Sequence, residues 1–317
     1  MSIVSNKMNS KAYGAIWGFI VGDALGVPYE FYSRDELQEL PATGMVGWRT
    51  HHQPPGTWSD DTSMLLCVME NNYNSGNTIT LSRLFLQWYE SGYHTAHGNV
   101  FDIGLSTQTA LERLKNSVPP SKSGLSDSNS AGNGSLMRSL PYAFMEDFSH
   151  GVYKMVLHNN ITHRLTICHE SCIFYVRIAR CLAEGRSKQE SMDLAVSYLQ
   201  MGWRISDNAQ TKPNPLKRLL KKSFASLSQE SISSSGYVVD TLEAAIWCFM
   251  NGNDYESCVL KAVNLGGDTD TIAALTGGLA GIYYGVLDIP SAWRNCIVDA
   301  EKLDGKIRTW LMMNKRV

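Results

Sequence analysis

Apolar residues in this chain return at helical spacing far more often than at every second position. Tyr13, Ile16, Phe19 and Ile20 fall on one face of a helix, and SMLLCVMENN, LSRLFLQWYESG, STQTALERLKNS and HESCIFYVRIARCLAEG repeat the pattern. KQESMDLAVSYLQMGW, VVDTLEAAIWCFMNG and TIAALTGGLAGIYYG continue it, and many of these segments stop at Gly or Asn, the usual helix terminators. Strict alternation of apolar and polar residues is almost absent. The pattern predicts an all-α protein of roughly ten or more helices, with a short hairpin at most.

Three loops rich in glycine, serine or proline interrupt the helices: RTHHQPPGTW, SVPPSKSGLSDSNSAGNGS and SQESISSSGY. Each is predicted to feed straight into a helix N-terminus. No shift in composition marks a domain boundary, so residues 1–317 read as a single compact helical domain. No internal repeat is evident beyond the likeness of two acidic helix starts, WSDDTSMLL from Trp58 and GGDTDTIAALTGG from Gly266.

Composition narrows the class. With 44% apolar residues in 317, a substantial core can be buried, and a net charge of -2 gives no electrostatic case for nucleic acid or an anionic membrane. The one basic run, KRLLKK at Lys217 to Lys222, reads as a solvated helix face. YGAIWGFIVGDALGVP is not read as a signal peptide, because Asp23 breaks it and no Lys/Arg cluster precedes it. No apolar run reaches the roughly 20 residues of a membrane span. Seven scattered cysteines in apolar surroundings fit reduced thiols and a cytoplasmic protein. Cys168 and Cys172, four apart, lack a second pair of zinc-ligand spacing and read as core.

The chemistry lies in the acidic helix starts. Ser, Asp and Thr are ordinary N-caps, and the helix dipole favours acids there, so either stretch alone reads equally well as a capped helix. The excess is what matters. One side chain suffices for a cap, yet one site offers Ser59, Asp60, Asp61 and Thr62 and the other Asp268, Asp270 and Thr271. If the two ends meet, each close carboxylate pair repels by about 4 kcal/mol at an effective dielectric of roughly 20. Cations resolve that, and all-oxygen ligands select hard ions such as Mg²⁺, Mn²⁺ or Ca²⁺. Four carboxylates suit two ions about 4 Å apart, able to hold an attacking water and orient substrate oxygens.

Other residues keep two readings. Asp23 shares the apolar face of the first helix, where a carboxylate needs partners, so it is assigned a supporting hydrogen-bonding role. Glu30, just past that helix, is either a general base reaching into a cleft or a surface glutamate. GNGSLMR, Gly132 to Arg138, offers free N–H groups at a predicted helix start with Arg138 one turn on: a diphosphate cradle or a plain turn. It lacks the Gly-Lys-Ser/Thr ending of a nucleotide-hydrolase loop. Ser235, Gly236 and Tyr237 could let the backbone approach a ligand with the tyrosine stacking on a base, or simply cap a helix. His163 is a ribose contact or a structural histidine, and Asp102 a substrate contact or a cap. His51 and His52, in a proline-bearing loop without helical spacing, carry little weight.

Taken in order, GDALGVPYEF, WSDDTSM, FDIGLSTQTAL, GNGSLMR, ITH, SSGYVVDTLEAAIW and LGGDTDTIAALTGGLAGIYYG resemble the ADP-ribosylglycohydrolase family, from about Ala12 to Gly285. The resemblance implies an all-α fold with a binuclear Mg²⁺ or Mn²⁺ cleft that hydrolyses the bond between ADP-ribose and a modified side chain. By that likeness Ser59, Asp60, Asp61, Asp268, Asp270 and Thr271 are metal ligands, and Glu30, with Asp61 and Asp270, is catalytic. Asn133, Gly134, Ser135 and Leu136 would hold the diphosphate, His163 and Asp102 the ribose or leaving group, and Ser235 to Tyr237 the adenosine end. Serine at position 59 departs from the family's frequent threonine. It keeps the oxygen but loses the methyl that restricts its rotamer. Residues 117–130 and 208–230 match no motif and are candidates for substrate selection.

Arginine is the first acceptor implied, with serine-linked or small O-linked ADP-ribose as the alternative. The substrate would be an ADP-ribosylated protein and free ADP-ribose the product, with a cognate ADP-ribosyltransferase or toxin pathway as partner. Two rivals stand beside this reading: a two-metal nucleotide-diphosphate hydrolase, and a non-catalytic binder or immunity protein that blocks a transferase.

Overall fold

The computed structural model describes residues 3–74, 76–205 and 215–313. Its α-helices are α1 (Ile3–Gly26), α2 (Arg34–Glu39), α3 (Asp60–Asn74), α4 (Thr78–Ser91), α5 (Leu105–Lys115), α6 (Pro120–Ser123) and α7 (Phe148–Asn159). They continue as α8 (Thr166–Ala183), α9 (Lys188–Ile205), α10 (Val238–Met250), α11 (Tyr255–Val263), α12 (Thr269–Tyr284), α13 (Ser291–Cys296) and α14 (Ala300–Met313). Among the described residues there is no strand. Within the limit of a short hairpin at most, the described residues hold two isolated bridges, Leu125 with His163 and Gly132 with Tyr237. None of the described helices is long and apolar enough to cross a membrane.

The axis of the fold is the pair α1 and α12. On α1, glycines recur every four residues, and a Cβ at Gly14, Gly18, Gly22 or Gly26 would come closer than 3.0 Å to the backbone of Gly281, Gly277, Ala273 or Asp270 respectively. The rising series on one helix meets a falling series on the other, so the helices run antiparallel with backbones in direct contact, as small residues at four-residue spacing allow. From Ala12 onward α1, like α12, is apolar almost all round, and the two sit inside one continuous core with α3, α8 and α10. Gly277 packs against Gly18, while Gly278 accommodates Tyr175 and Leu140.

This pairing places the C-terminal end of α1, which leads through a 3₁₀ turn (Val27–Tyr29) to Glu30, beside the N-terminus of α12. Gly18→Ala is expected to destabilise by roughly 1–3 kcal/mol, because the methyl meets backbone that cannot yield. Urea unfolding would measure it. Gly305→Ala on α14, with nothing within 4 Å of the added methyl, serves as the control and gains helix propensity.

Two local expectations are corrected. GNGSLMR does not start an α-helix: Gly132 to Arg138 forms turns ahead of a 3₁₀ segment, Leu140–Phe144. Its geometry is set by non-local pairing, with Asn133 N–H donating to Gly236 O (3.1 Å) and Val238 N–H to Ala131 O (2.9 Å). KRLLKK is not a helix face either. It begins in a 3₁₀ turn (Pro215–Arg218), buries Leu219, and ties Arg218 to the Glu243 carboxylate at 3.2 Å. Of the stretch 208–230 assigned to substrate selection, residues 208–214 lie outside the described residues.

Candidate metal centre and substrate cleft

The two acidic helix starts meet. Thr271 Oγ1 donates to Asp61 Oδ1 at 3.4 Å across 210 residues of sequence. Asp23, Asp61 and Asp270 bring carboxylate oxygens within 4.8 Å of one another, and so do Glu30, Asp268 and Asp270. Asp270 belongs to both groups. It is therefore the carboxylate around which the site is organised.

At α3, capping falls to Ser59 and Asp23, while at α12 Asp270 Oδ1 accepts from Thr271 N–H at 2.8 Å and keeps Oδ2 free. Ser59 precedes α3 and its Oγ accepts from Asp61 N–H at 3.2 Å, leaving both aspartates of that turn unused as caps. Asp23, fully buried, supplies the rest from α1, accepting from Ser59 N–H (3.0 Å), Thr62 N–H (3.0 Å) and Thr62 Oγ1 (2.5 Å). The supporting role expected of Asp23 thus has a definite form: it anchors the N-terminus of α3 to α1. At α12 the N-cap residue Asp268 makes no side-chain cap bond and instead accepts from Asn133 Nδ2 at 2.5 Å. Gly266 and Gly267 take the left-handed backbone, φ 72° and 75°, that turns this end inward.

Burial and crowding raise every acid of the cluster. Asp60, Asp61 and Asp270 are pushed well above the ordinary carboxylate range, first by burial and then by Asp23, Asp270 and Asp102 respectively. Glu30 rises to about 10 through burial and then Asp270 and Asp268, and Asp102 to about 10 through burial and then Asp60. Asp23 rises only to about 6, because burial is partly offset by the donors of Thr62 and Ser59. Asp61 Oδ2 and Asp270 Oδ2 are buried with no hydrogen-bond partner among the described residues. Orphaned oxygens amid mutually raised carboxyls call for protons or for cations, and an all-oxygen set fits hard divalent cations.

Above the acids opens a cleft of about 520 Å³, whose lining includes Glu30, Asp60, Asp102, Gly134, His163 and Gly236. A Cβ at Gly134 would lie 2.8 Å from both His163 Cε1 and Thr107 Oγ1 and would force one of them to shift, so the bare backbone forms this wall. The N–H groups of Gly134 and Ser135 have no backbone partner among the described residues, unlike Leu136 N–H, which donates to Asn133 O at 2.7 Å. Ser135 and Leu136 side chains are fully buried, and any role of theirs in the cleft falls to the main chain.

Arg138 does not reach the cleft as an anion ligand. Its guanidinium is buried over Phe85 (4.8 Å), donating to Gly134 O and to Thr162 Oγ1 (2.6 Å), and burial lowers its pKa only to about 10, so it remains a cation. It shapes the glycine loop from beneath. His163 has Nδ1 against Thr162 Oγ1 (2.8 Å), and burial, then Arg138, lowers its pKa to about 3, leaving a neutral ring at the cleft wall.

Asp102 is no cap, since Gly104 holds that position on α5; it takes a left-handed φ of 57° and turns its carboxylate toward Asp270. Ser235 lines the cleft but commits its hydroxyl to Asp240 (2.7 Å), and Tyr237 stands exposed as the N-cap residue of α10. His51, discounted in the sequence, is in the site: its Nε2 contacts Glu30 Oε2 and lies 3.9 Å from Asp102 Oδ1. Only its place in a polar loop hinted at this.

Comparison with known proteins settles the lineage. The ADP-ribosylglycohydrolase family model matches residues 5–316. This chain belongs to the ADP-ribosylglycohydrolase family. It is 34% identical to the ADP-ribosylarginine hydrolase Tri1 of Serratia proteamaculans, over 95% of this chain and 79% of that one. It is 27% identical to the ADP-ribosyl-[dinitrogen reductase] glycohydrolase of Rhodospirillum rubrum, over 95% and 92%. A solved structure, an ADP-ribosylglycohydrolase-related protein complex, superposes with a TM-score of 0.79 at 29% identity, covering 98% of this chain and 99% of that one. Membership makes this chain a glycosidic-bond hydrolase and gives the crowded acids of α3 and α12 a chemical setting.

For this member of the ADP-ribosylglycohydrolase family, Asp23→Asn is expected to weaken any divalent-cation affinity of the acidic cluster about 10–100-fold, since it loosens the turn that presents Asp60 and Asp61. Titrating the thermal midpoint with Mg²⁺ or Mn²⁺ checks this. An unchanged midpoint-versus-metal curve would deny Asp23 its anchoring role.

Proposed function

We propose that this protein removes ADP-ribose from modified arginine side chains, releasing free ADP-ribose. The observation that carries the reading is the meeting of the α3 and α12 N-termini around Asp270, directly beneath a cleft with a bare-backbone wall. The names of the relatives favour arginine as acceptor. We assign Ser59, Asp60, Asp61, Asp268, Asp270 and Thr271 to two Mg²⁺ or Mn²⁺ ions. When bound, such ions supply Lewis acidity toward ribose oxygens and lower the pKa of water.

The chain's own groups do the rest. The main chain of Gly134 and Ser135, with Asn133 beside it, receives the diphosphate. His163, neutral, accepts or donates at the adjacent ribose through the nitrogen not used by Thr162. Ser235, Gly236 and Tyr237 border the adenosine end. Remote binding energy then holds the anomeric carbon over the acids. Positive charge develops on that carbon as the bond to nitrogen breaks, and the surrounding carboxylates stabilise it. Glu30 takes a proton from the attacking water, whose oxygen joins the carbon; the guanidinium nitrogen keeps the electron pair of the broken bond, leaves as neutral guanidine and receives the proton that Glu30 then gives up. Positive charge beside Glu30 lowers its pKa and readies it as a base.

We further place the activity in one domain spanning residues 1–317, in the cytoplasm, where seven unpaired cysteines are stable, and opposite a cognate ADP-ribosyltransferase. The test is incubation with proteins ADP-ribosylated on arginine or on serine, with Mg²⁺, Mn²⁺ or EDTA. Metal-dependent release of ADP-ribose from the arginine-linked substrate is expected. AMP as product would instead indicate phosphate cleavage, and release from serine alone would overturn the acceptor.

A further inference from the structure

Glu30 is gripped at both ends by one dipeptide. Thr50 Oγ1 donates to Glu30 O at 2.7 Å, and the next residue, His51, contacts the Glu30 carboxylate through Nε2. The loop bearing them is itself fixed to this corner. Thr50 N–H donates to Pro28 O (3.2 Å), Trp48 N–H to Gln53 O (2.7 Å), and the Arg49 guanidinium lies 4.5 Å over the Tyr29 ring.

The His51 ring is also wedged between the neighbours of two cleft carboxylates. Phe31, which follows Glu30, lies 6.0 Å away centroid to centroid, and Phe101, which precedes Asp102, lies 5.3 Å away. Phe31 needs such a clasp. It holds a left-handed φ of 68° and is 70% exposed, while its N–H is tied to Gly267 O at 2.8 Å. The ring nitrogen of His51 thus faces two acids and selects one, holding Glu30 Oε2 while standing 3.9 Å from Asp102 Oδ1.

We propose that His51 is a positioning residue for hydrolysis: with Thr50 it fixes the backbone and carboxylate of Glu30 as one unit, and the Phe31–His51–Phe101 clasp sets the separation of Glu30 from Asp102. This rests on the ADP-ribosyl-arginine reading above. In that reading Glu30 must meet a water at one point, and a buried carboxylate without a donor would relax toward or away from its acidic neighbours. In the tautomer with its proton on Nε2, His51 supplies the donor from outside the acidic cluster, so orientation costs the cluster no ligand. A side chain held through two contacts is worth more to the rate than to affinity, because ground-state binding lies with the nucleotide half of the cleft.

Three variants test this: His51→Leu removes the donor at similar bulk, His51→Ala removes both, and His51→Gln restores an amide N–H near the position of Nε2. For ADP-ribosyl-arginine substrate, His51→Leu is expected to lower kcat about 10–100-fold, leaving KM, ADP-ribose affinity and the metal-induced thermal shift within about 3-fold or a few degrees of wild type. His51→Gln recovers most of kcat. A wild-type kcat in His51→Leu overturns the inference, as do equal losses of kcat, ADP-ribose affinity and metal response, which signify general disorder of the cleft. A wild type that releases no ADP-ribose strikes the functional reading, and the double-mutant cycle then decides. Thermal shifts of His51→Leu and Glu30→Gln that fail to add support the pairing, and strictly additive shifts refute it.

Discussion

Asp270→Ala is expected to reduce kcat/KM by at least ~10³-fold, roughly 4 kcal/mol of transition-state stabilisation. No other acid stands in both carboxylate groups of the site, with Asp23 and Asp61 on one side and Glu30 and Asp268 on the other. Removing it opens both groups at once, whereas Asp268→Ala leaves the Asp23–Asp61–Asp270 group whole. The comparison is informative because Asp270 is also the main charge, after burial, that raises Asp61 and Glu30. Without metal, the variant should unfold at a higher temperature than wild type, since one of several repelling charges is gone; with Mg²⁺ or Mn²⁺ the order should reverse. Steady-state kinetics and thermal melts with and without EDTA read both. Activity within 10-fold of wild type would remove Asp270 from the centre of the mechanism.

The second large effect is on stability against pH in metal-free protein. A carboxyl whose pKa is raised by folding binds its proton more tightly in the native state, so its contribution is complete below the unfolded pKa and drains as pH climbs through the folded one. Glu30 moves from 4.5 to about 10 and Asp102 from 3.8 to about 10, so both drain across the alkaline side of neutrality. Asp23, moving from 3.8 to about 6, has been spent by then. Buried histidines act in the other direction. His163 at about 3 and His158 at about 4 contribute stability that is lost only as pH falls below the ordinary 6.5.

The window from pH 7 to 9 therefore isolates the acids. Each group contributes about 1.4 kcal/mol per pH unit there, so the metal-free protein should lose on the order of several kcal/mol. Saturating Mg²⁺ should flatten the curve, because cations replace protons as counter-charge. Denaturant unfolding at pH 7, 8 and 9, in EDTA and in Mg²⁺, gives the two slopes; a metal-free slope near zero would mean that the cluster is relieved by some other means.

How much of this could be read from residues alone follows from the range of the forces involved. The acids of α3 and α12 were legible because capping needs one side chain and each turn carries several. The apolar period of α1, α8, α10 and α12 was legible for the same local reason. What failed was non-local. Arg138 beside a Gly/Ser loop looks like an anion ligand until the fold lays it over Phe85 and under Gly134 O. GNGSLMR has the composition of a helix start, but the bridge between Gly132 and Tyr237 holds it as turns. His51 has no periodic partner, and only the tertiary return of its loop to Pro28 and Glu30 gives it a role. The four-residue spacing of glycines on α1 was present in plain sequence, yet its meaning required the antiparallel partner.

That partner is synthesised late, ahead of α13 and α14 alone among the helices. Asp61 and Asp270 are 209 residues apart, an interval of roughly 10–40 s at ~5–20 residues per second of translation. During it α1 has no backbone to fit its glycine edge, and the acids of α3 have no opposite half. A nascent chain thus carries an apolar helix without its mate, a natural target for a chaperone that holds segments until the C-terminal third emerges. Metal capture becomes a late event that reports completion of the chain, and a ribosome stalled before α12 should yield a product that neither binds Mg²⁺ at this site nor leaves its holdase.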